Sequence, residues 1–529
     1  MSFVQKKRTN NLLAVGVLAL QGILAMGIAH WCMSSDVGVT PDSLIYLSAA
    51  DRLVEGKGLT PIGYHYAPSV PSGRPLVSFP PAYPLLIAST RLVTSDRLTA
   101  AKYIHSFLFA ANVFLLGLII YISSRSIWPA LCAMGLFQTS FPLLSIYTMV
   151  RAEPLFMFFL LFTLLGVIFY TQRAQLWLLI VCASAAAGAV MTRYVGIIIL
   201  LPLVLTVLIQ SGPLRERIKR GVLVAAVALL PPIGWVIRNK LVAGSSTGRS
   251  FAFHFIGLRE ARTFVESLIL LITQYALPAL VKLSIITIGA VIVVYSLSMG
   301  VRGQIGIANR YIRFFSAVIV TAYVIFLATY NSFANPAVDL GPRVALPVYV
   351  FGMILFFSLI EWNSAVGKRR TLFWCIIISS SVLFMANARP VAYWVSYRHR
   401  MGEGFTSRDW RDSETVKFLN AVPTLIPISS NAADACYLFT NREVFRLPAK
   451  YDPTNASVNA DFGSQMEALR EDLNKNHTLV IYFDRVTWRG YLPSRNELEE
   501  IYKLPVVTRF ADGVVYGAQS DTVHVWTSD

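Results

Sequence analysis

Apolar residues run through the first three quarters of this chain in stretches of bilayer length, separated by short polar turns. Such stretches fall at about 10–30, 99–121, 128–147, 154–171, 176–191, 194–211, 221–237, 278–299, 314–330, 344–361 and 371–388. A membrane helix needs about 20 predominantly apolar residues, so the pattern predicts about eleven transmembrane helices. The first run is too long for a signal peptide and has no small-residue cleavage site after it, so it is read as a retained span. A weaker stretch at 262–277 carries Arg262, Glu266 and Gln274 and reads as an interfacial helix. Beyond Ala388 the pattern changes: runs at 425–428, 478–483 and 506–510 read as strands, and 412–419, 464–474 and 495–502 as amphipathic helices. The expected architecture is mainly α. It is a polytopic membrane domain over 1–390, with a long first outer loop at 31–98 bearing juxtamembrane helices, and a small soluble α/β domain over 391–529.

Composition fits that division. Of 529 residues, 55% are hydrophobic and 14% charged, against about 25% charged in soluble proteins. The net charge of +17 comes from 46 Lys and Arg against 29 Asp and Glu, and its placement excludes a nucleic-acid partner. With the N-terminus inside, the inner segments 1–10, 122–127, 171–176, 211–220, 300–313 and 362–371 hold 15 Lys/Arg in 56 residues. The outer segments before 389 hold another 15 over roughly 130 residues, so the base density is about twofold higher inside. That places the C-terminal domain outside a cell (inner or plasma) membrane crossed many times. The five cysteines are too scattered for a disulfide framework.

Polar residues gather at the outer ends of the spans. In the first loop, Thr40-Pro41-Asp42-Ser43 opens a helix: Thr40 suits the N-cap, Pro41 the first position, and Asp42 the first turn. Leu44, Leu47, Ala50, Leu53 and Val54 give that helix one apolar face, and Tyr46 lies on the same face as Asp42. The helix dipole favours an ionised Asp42, either as a simple cap or as a proton acceptor. Asp36 is a second carboxylate or loop solvation. Tyr64, His65 and Tyr66, then Arg74, then Phe79-Pro80-Pro81-Ala82-Tyr83 follow; their aromatics, Tyr83 included, either stack on a sugar or sit in the interfacial belt. Glu153, in Arg151-Ala152-Glu153-Pro154, is the one acid between Asp96 and Glu216, and it either pairs with an arginine or serves the chemistry. Arg193-Tyr194, Arg238, Arg249 and Arg343 add four outer arginines.

Arginine matches phosphate with its planar fork. Carboxylates among arginines at the outer lipid boundary point to a sugar linked to a lipid phosphate. A phosphate leaving group needs cations and no general acid, while an acceptor hydroxyl needs one positioned base. A glycosidase would need two flanking carboxyls. The expected reaction is therefore inverting transfer from a polyprenyl-phosphate donor to an acceptor hydroxyl. The expected acceptor is a lipid, a glycan or a protein. Asp42 would act as base, and the arginines would hold the leaving phosphate. The alternative is a transporter or flippase for a lipid-linked sugar, for which Pro231-Pro232 offers a broken-helix hint. No cofactor is expected; Asp36, Asp42 and Glu153 together have the chemistry to ligate Mg²⁺ or Mn²⁺, without a spacing that indicates it.

These motifs resemble the GT-C glycosyltransferases. The first-loop pattern Pro41-Asp42-x3-Tyr46-x2-Ala49-x3-Leu53, Gly56-Lys57-Gly58, Phe79-Pro80-Pro81 is similar to that superfamily's signature. So are Arg151-Ala152-Glu153-Pro154-Leu155-Phe156, Thr192-Arg193-Tyr194-Val195-Gly196 and Gly341-Pro342-Arg343-x3-Pro347. The nearest branch is that of the lipid A aminoarabinose transferases and protein O-mannosyltransferases. The resemblance covers roughly residues 10–390. It implies Asp42 as catalytic carboxylate, Glu153 as the second acid, and Arg193 where the family often has a phosphate-binding lysine. Two positions depart from it: Ser43 replaces an acid and Phe79 a lysine, so phosphate binding would lean on Arg74 or Arg238.

Overall fold

The computed structural model describes residues 3–62, 75–91, 93–248, 250–253, 255–302, 307–335, 338–359, 367–452, 457–475 and 478–518. The first helix, α1 (Phe3–Cys32), is followed by α2 (Pro41–Val54) and α3 (Ala82–Thr90), both inside the first long loop. The bundle continues with α4 (Arg97–Ser124), α5 (Ile127–Gln138), α6 (Phe141–Thr148), α7 (Glu153–Arg173), α8 (Leu176–Thr192), α9 (Leu200–Leu208) and α10 (Leu214–Ala243). A 3₁₀ stretch, Tyr194–Ile199, leads into α9. Then come the short strand β1 (Ser250–Phe251), α11 (Leu258–Ile272), α12 (Ala279–Arg302), α13 (Ile307–Phe333), β2 (Ala334–Asn335), α14 (Pro342–Phe357) and α15 (Lys368–Met401).

Each of the eleven apolar runs forms helix over most of its described residues. Among the described residues, seven helices are long and apolar enough to cross a membrane, and an eighth if α5 and α6, bent by 70° at Ser140, act as one span. The remaining three runs are shorter apolar helices, Leu176–Thr192, Tyr194–Leu208 and Pro342–Phe357. α11 matches the expected interfacial segment, with its polar and apolar residues on opposite faces. α10 runs unbroken through Pro231 and Pro232, so the broken helix that those prolines hinted at under the transporter alternative is not present.

The turns alternate between two ends of the bundle. At one end Tyr121 donates to Asn11, Ser123 to Asn309, and Asn309 to the Ser358 carbonyl. At the other, β1 pairs with β2, and the segment after α1 meets the turn before α7 and the chain after α15. The segments read as inner and those read as outer thus separate in space.

α15 continues past position 390 to Met401 and delivers the C-terminal domain: α16 (Arg408–Arg411), α17 (Glu414–Ala421), β3 (Ile428–Ser430), α18 (Ala433–Thr440), β4 (Phe445–Arg446), α19 (Phe462–Lys475), β5 (Leu479–Phe483), β6 (Val506–Phe510) and β7 (Gly513–Tyr516). Its five-stranded sheet has the order β4-β3-β5-β7-β6, parallel across β4-β3-β5 and antiparallel thereafter. One sheet face, with Ile428, Leu479, Ile481 and Val515, joins a core that is continuous with the helical bundle. The other packs Val480, Val514 and Tyr516 on Met466, Leu469 and Leu473 of α19.

Candidate active site

The site is assembled where three distant segments run side by side. The Gly38 N–H donates to the Thr148 carbonyl at 2.8 Å, and the Val150 N–H donates to the Gly38 carbonyl at 2.8 Å. On the other side the Phe405 N–H donates to the Val39 carbonyl at 2.8 Å. Both contacts require glycine. A Cβ on Gly38 would lie 2.8 Å from Met149 Cγ, and one on Gly404, whose φ is +63°, would lie 2.1 Å from Val39 O.

This backbone junction fixes the start of α2. Ser43 is fully buried and donates to the Val150 carbonyl at 2.7 Å, while the Thr40 N–H donates to Ser43 Oγ at 2.9 Å. The serine that departs from the GT-C pattern therefore ties the first-loop helix to the turn before Glu153. Beneath it, the Tyr46 ring meets Phe79 and Tyr83 edge-on at 4.9 and 5.0 Å. Burial pushes both tyrosine hydroxyls up, so they stay protonated. Tyr83 is closed off from solvent, and its hydroxyl is 2.6 Å from His105 Nε2. His105 Nδ1 lies 2.9 Å from the Tyr147 carbonyl. A carbonyl only accepts, so Nδ1 carries the proton and Nε2 accepts from Tyr83. Asn112 completes the floor, donating to Tyr147 Oη at 2.8 Å and to the Pro154 carbonyl at 2.9 Å.

Four of the expected residues meet above this floor. Glu153, the first residue of α7, has a buried side chain, 4% exposed. Its Oε1 accepts from Arg193 Nη1 at 2.6 Å and from Arg343 Nε at 2.8 Å. The far edge of the Arg343 guanidinium lies 3.4 Å from Oδ2 of Asp42, whose side chain is 42% exposed. One arginine thus bridges a buried carboxylate and an open one. Glu153 Oε2 is buried without a hydrogen-bond partner among the described residues. Arg151 lies close enough to feel Glu153, Glu403 and Asp42; burial, then repulsion from Arg343, holds its pKa below the ordinary guanidinium value. Three arginines against two acids leave the cluster at +1, facing outward at Asp42.

The other expected residues lie elsewhere. Tyr194 donates to the Val77 carbonyl at 2.7 Å, and Arg238 to the Leu76 carbonyl at 2.9 Å while covering the Trp235 ring at 4.7 Å. These two hold the return of the first loop. Asp36, with φ +110°, sits apart; burial and then Asp96 raise its carboxyl pKa. Tyr64, His65, Arg74 and Arg249 lie outside the described residues. Asp36, Asp42 and Glu153 do not converge, and among the described residues no three His, Cys, Asp or Glu side chains gather as metal ligands. The guanidinium of Arg343 occupies the position between Asp42 and Glu153 that a bridging cation would take.

Sequence reasoning missed Glu403. It is buried beside Gly38, accepts from Ser145 at 2.7 Å and Thr148 at 3.3 Å, and pairs with Arg398 at 3.1 Å. Burial raises its pKa. It also missed His105, although a histidine inside an apolar run is a usable sign. Two cavities lie away from the cluster. One of about 620 Å³ is lined by Trp410, Glu414, Arg485, Trp488 and Asp512 of the C-terminal domain, and one of about 570 Å³ lies along α15.

The fold and site define a helical, multi-pass membrane protein with a carboxylate–arginine cluster beneath a small α/β domain. No protein-family model and no curated protein matches the sequence. Among solved structures, the chain is similar to ArnT from Cupriavidus metallidurans bound to undecaprenyl phosphate, with 11% identity, a TM-score of 0.47, and coverage of 97% of this chain and 99% of that one. It is also similar to the apo form of the same protein, with 11% identity, a TM-score of 0.46, and coverage of 95% and 98%. The function proposed below rests on this chain's own residues.

Proposed function

We propose that this protein is an inverting glycosyltransferase that moves a sugar from a polyprenyl-phosphate donor to an acceptor hydroxyl at the outer face of the membrane. The observation that carries this reading is the Asp42–Arg343–Glu153 bridge. It puts an accessible base and a partly buried cation within one guanidinium's width of each other, at the end of the bundle that bears the C-terminal domain. In the reaction, Asp42 takes the proton of the acceptor hydroxyl as its oxygen bonds to the anomeric carbon. The bond from that carbon to the phosphate oxygen breaks on the opposite face, and polyprenyl phosphate leaves with one more negative charge. Arg343 and Arg193, held in place by Glu153, lie where that charge develops. The orientation follows from the basic inner loops, and the C-terminal domain positions the acceptor. The same orientation puts the Asp42 face of the membrane on the side where lipid-linked sugars are consumed.

The unbroken α10 and the gathering of polar groups at one end of the bundle favour transfer over transport, which needs groups near the midplane. Replacing Asp42 by Asn tests the assignment. Transfer from undecaprenyl-phosphate sugars should fall by about 10²–10⁴-fold, the usual contribution of a positioned base, while undecaprenyl phosphate still binds. Undiminished transfer would remove Asp42 from the role of base.

A further inference from the structure

The second cavity lies outside the proposed chemistry. It forms at Pro390, inside α15. Proline has no N–H and leaves the carbonyl four residues earlier without its helical donor; here that carbonyl is Ala386, and Tyr275 Oη donates to it at 3.1 Å. Asn387 secures the same segment, donating to the Ile272 carbonyl at 2.8 Å and accepting from Thr273 Oγ1 at 3.2 Å. The chain at 272–275 is thereby pinned to α15 beside Pro390, with Phe141 of α6 on the far side. About 570 Å³ stays open between them.

The walls are aromatic: Phe141, Tyr275, Tyr393, Trp394 and Tyr397. Among the described residues, Arg389 is the one charged residue of the lining, and no carboxylate lines the groove. Gln274 also lines it, and its Nε2 is buried without a hydrogen-bond partner among the described residues. The depth is that of lipid headgroups. The apolar run of α15 ends at 388, and α12 begins at Ala279, just after Tyr275. An aromatic belt alone would explain exposed tyrosines. It does not explain an amide nitrogen buried beside this open aromatic groove without a hydrogen-bond partner among the described residues.

We propose that this groove holds one anionic glycerophospholipid of the surrounding bilayer. An acyl chain lies along the aromatic wall, the phosphate sits on Arg389, and a headgroup or ester oxygen accepts from Gln274 Nε2. The site is independent of the sugar-transfer reading. Phe141 begins the short helix whose Ser145 holds Glu403, so an occupied groove packs against the same helix that leads into the Asp42–Glu153 cluster.

The test uses the full-length protein reconstituted in vesicles that carry trace phosphatidylglycerol or phosphatidylcholine with a diazirine in the acyl chain. After photolysis, cross-linked peptides are mapped by mass spectrometry. Phosphatidylglycerol should label 390–397 and 274–275 about fivefold more than phosphatidylcholine, the ratio one cation near an anionic headgroup supplies. Arg389→Gln should abolish that preference. Gln274→Leu should weaken labelling by both lipids, because it removes a shared donor. Tyr393→Ser, at a side chain 71% exposed, should lower labelling without lowering the melting temperature. Asp42→Asn should be labelled like the wild type. Equal labelling by the two lipids, or an undiminished preference in Arg389→Gln, would overturn the proposal and leave an aromatic belt only.

Discussion

Two carboxylates one guanidinium apart differ in burial, and the proposed roles follow that difference. Asp42 is 42% exposed and shares only the long 3.4 Å contact with Arg343, whereas Glu153 is closed off between Arg193 and Arg343. Removing one member of a buried ion pair strands the other in a dry site and costs about 3–5 kcal/mol, while a half-exposed pair contributes about 0–1 kcal/mol. Glu153→Gln should therefore lower both stability and transfer, and Asp42→Asn should lower transfer alone. Thermal unfolding of the two purified variants in one detergent separates these outcomes. Equal melting temperatures would mean that Glu153 carries no structural charge. At this scale the sequence made Asp42 and Glu153 readable, because an acid beside a helix start and an acid between long apolar runs each need a reason. The partners were harder to see. Arg343 lies 301 residues from Asp42 and 190 from Glu153, and nothing in the spacing separates it from Arg238, whose guanidinium serves a backbone carbonyl.

At the scale of elements, α2 carries the open carboxylate and is clamped at both ends. Its start is held by Ser43 on the Val150 carbonyl and by Val39 against the chain after α15. Its far end is held by Asp51, which pairs with Arg91 and, at 2.9 Å, with Arg97. Arg97 in turn donates to Tyr437 Oη and Asn441 Oδ1 at 3.0 Å each and to the Leu438 carbonyl at 3.2 Å, all in or just after α18. The C-terminal domain thus grips the helix that carries Asp42. Gly404→Ala probes the near clamp: it forces a Cβ into Val39 O at a positive φ and should cost more than ~1 kcal/mol. Arg97→Ala probes the far clamp. Each should raise deuterium uptake in the α2 peptide and lower turnover, with undecaprenyl phosphate binding unchanged. If α2 exchange stayed at the wild-type level in both variants, the clamp would have no bearing on Asp42. The helix itself was legible from Thr40-Pro41-Asp42 and its apolar face. The clamp was not, because its donors come from α4 and α18, and local pattern carries no record of contacts 340 residues apart.

Across the whole molecule, the eleven apolar runs were legible because lipid demands unbroken hydrophobic length, and each forms helix over most of its described residues. What hydropathy did not reveal is that two of them fold shorter than their runs: α14, at 16 residues, and the 3₁₀-led helix that ends at Leu208. One begins just after Arg193 and the other at Pro342-Arg343. Shortening brings a charged helix end toward the bundle interior, where Glu153 receives both guanidinium groups. Charge sets the direction of the whole arrangement. The turns at the end opposite the C-terminal domain include Arg125, Arg173, Arg215, Arg217 and Arg220 with Glu216 as their acid, and the positive-inside rule predicts that such an end faces the cytoplasm. Single cysteines at Gln175, in a turn of that basic end, and at Leu425, 94% exposed on the C-terminal domain, report the two sides. A membrane-impermeant maleimide added to intact cells should label Leu425→Cys and spare Gln175→Cys until the membrane is permeabilised. The reverse pattern would put Asp42 and its arginines on the cytoplasmic face, where a base for transfer to external acceptors has no use.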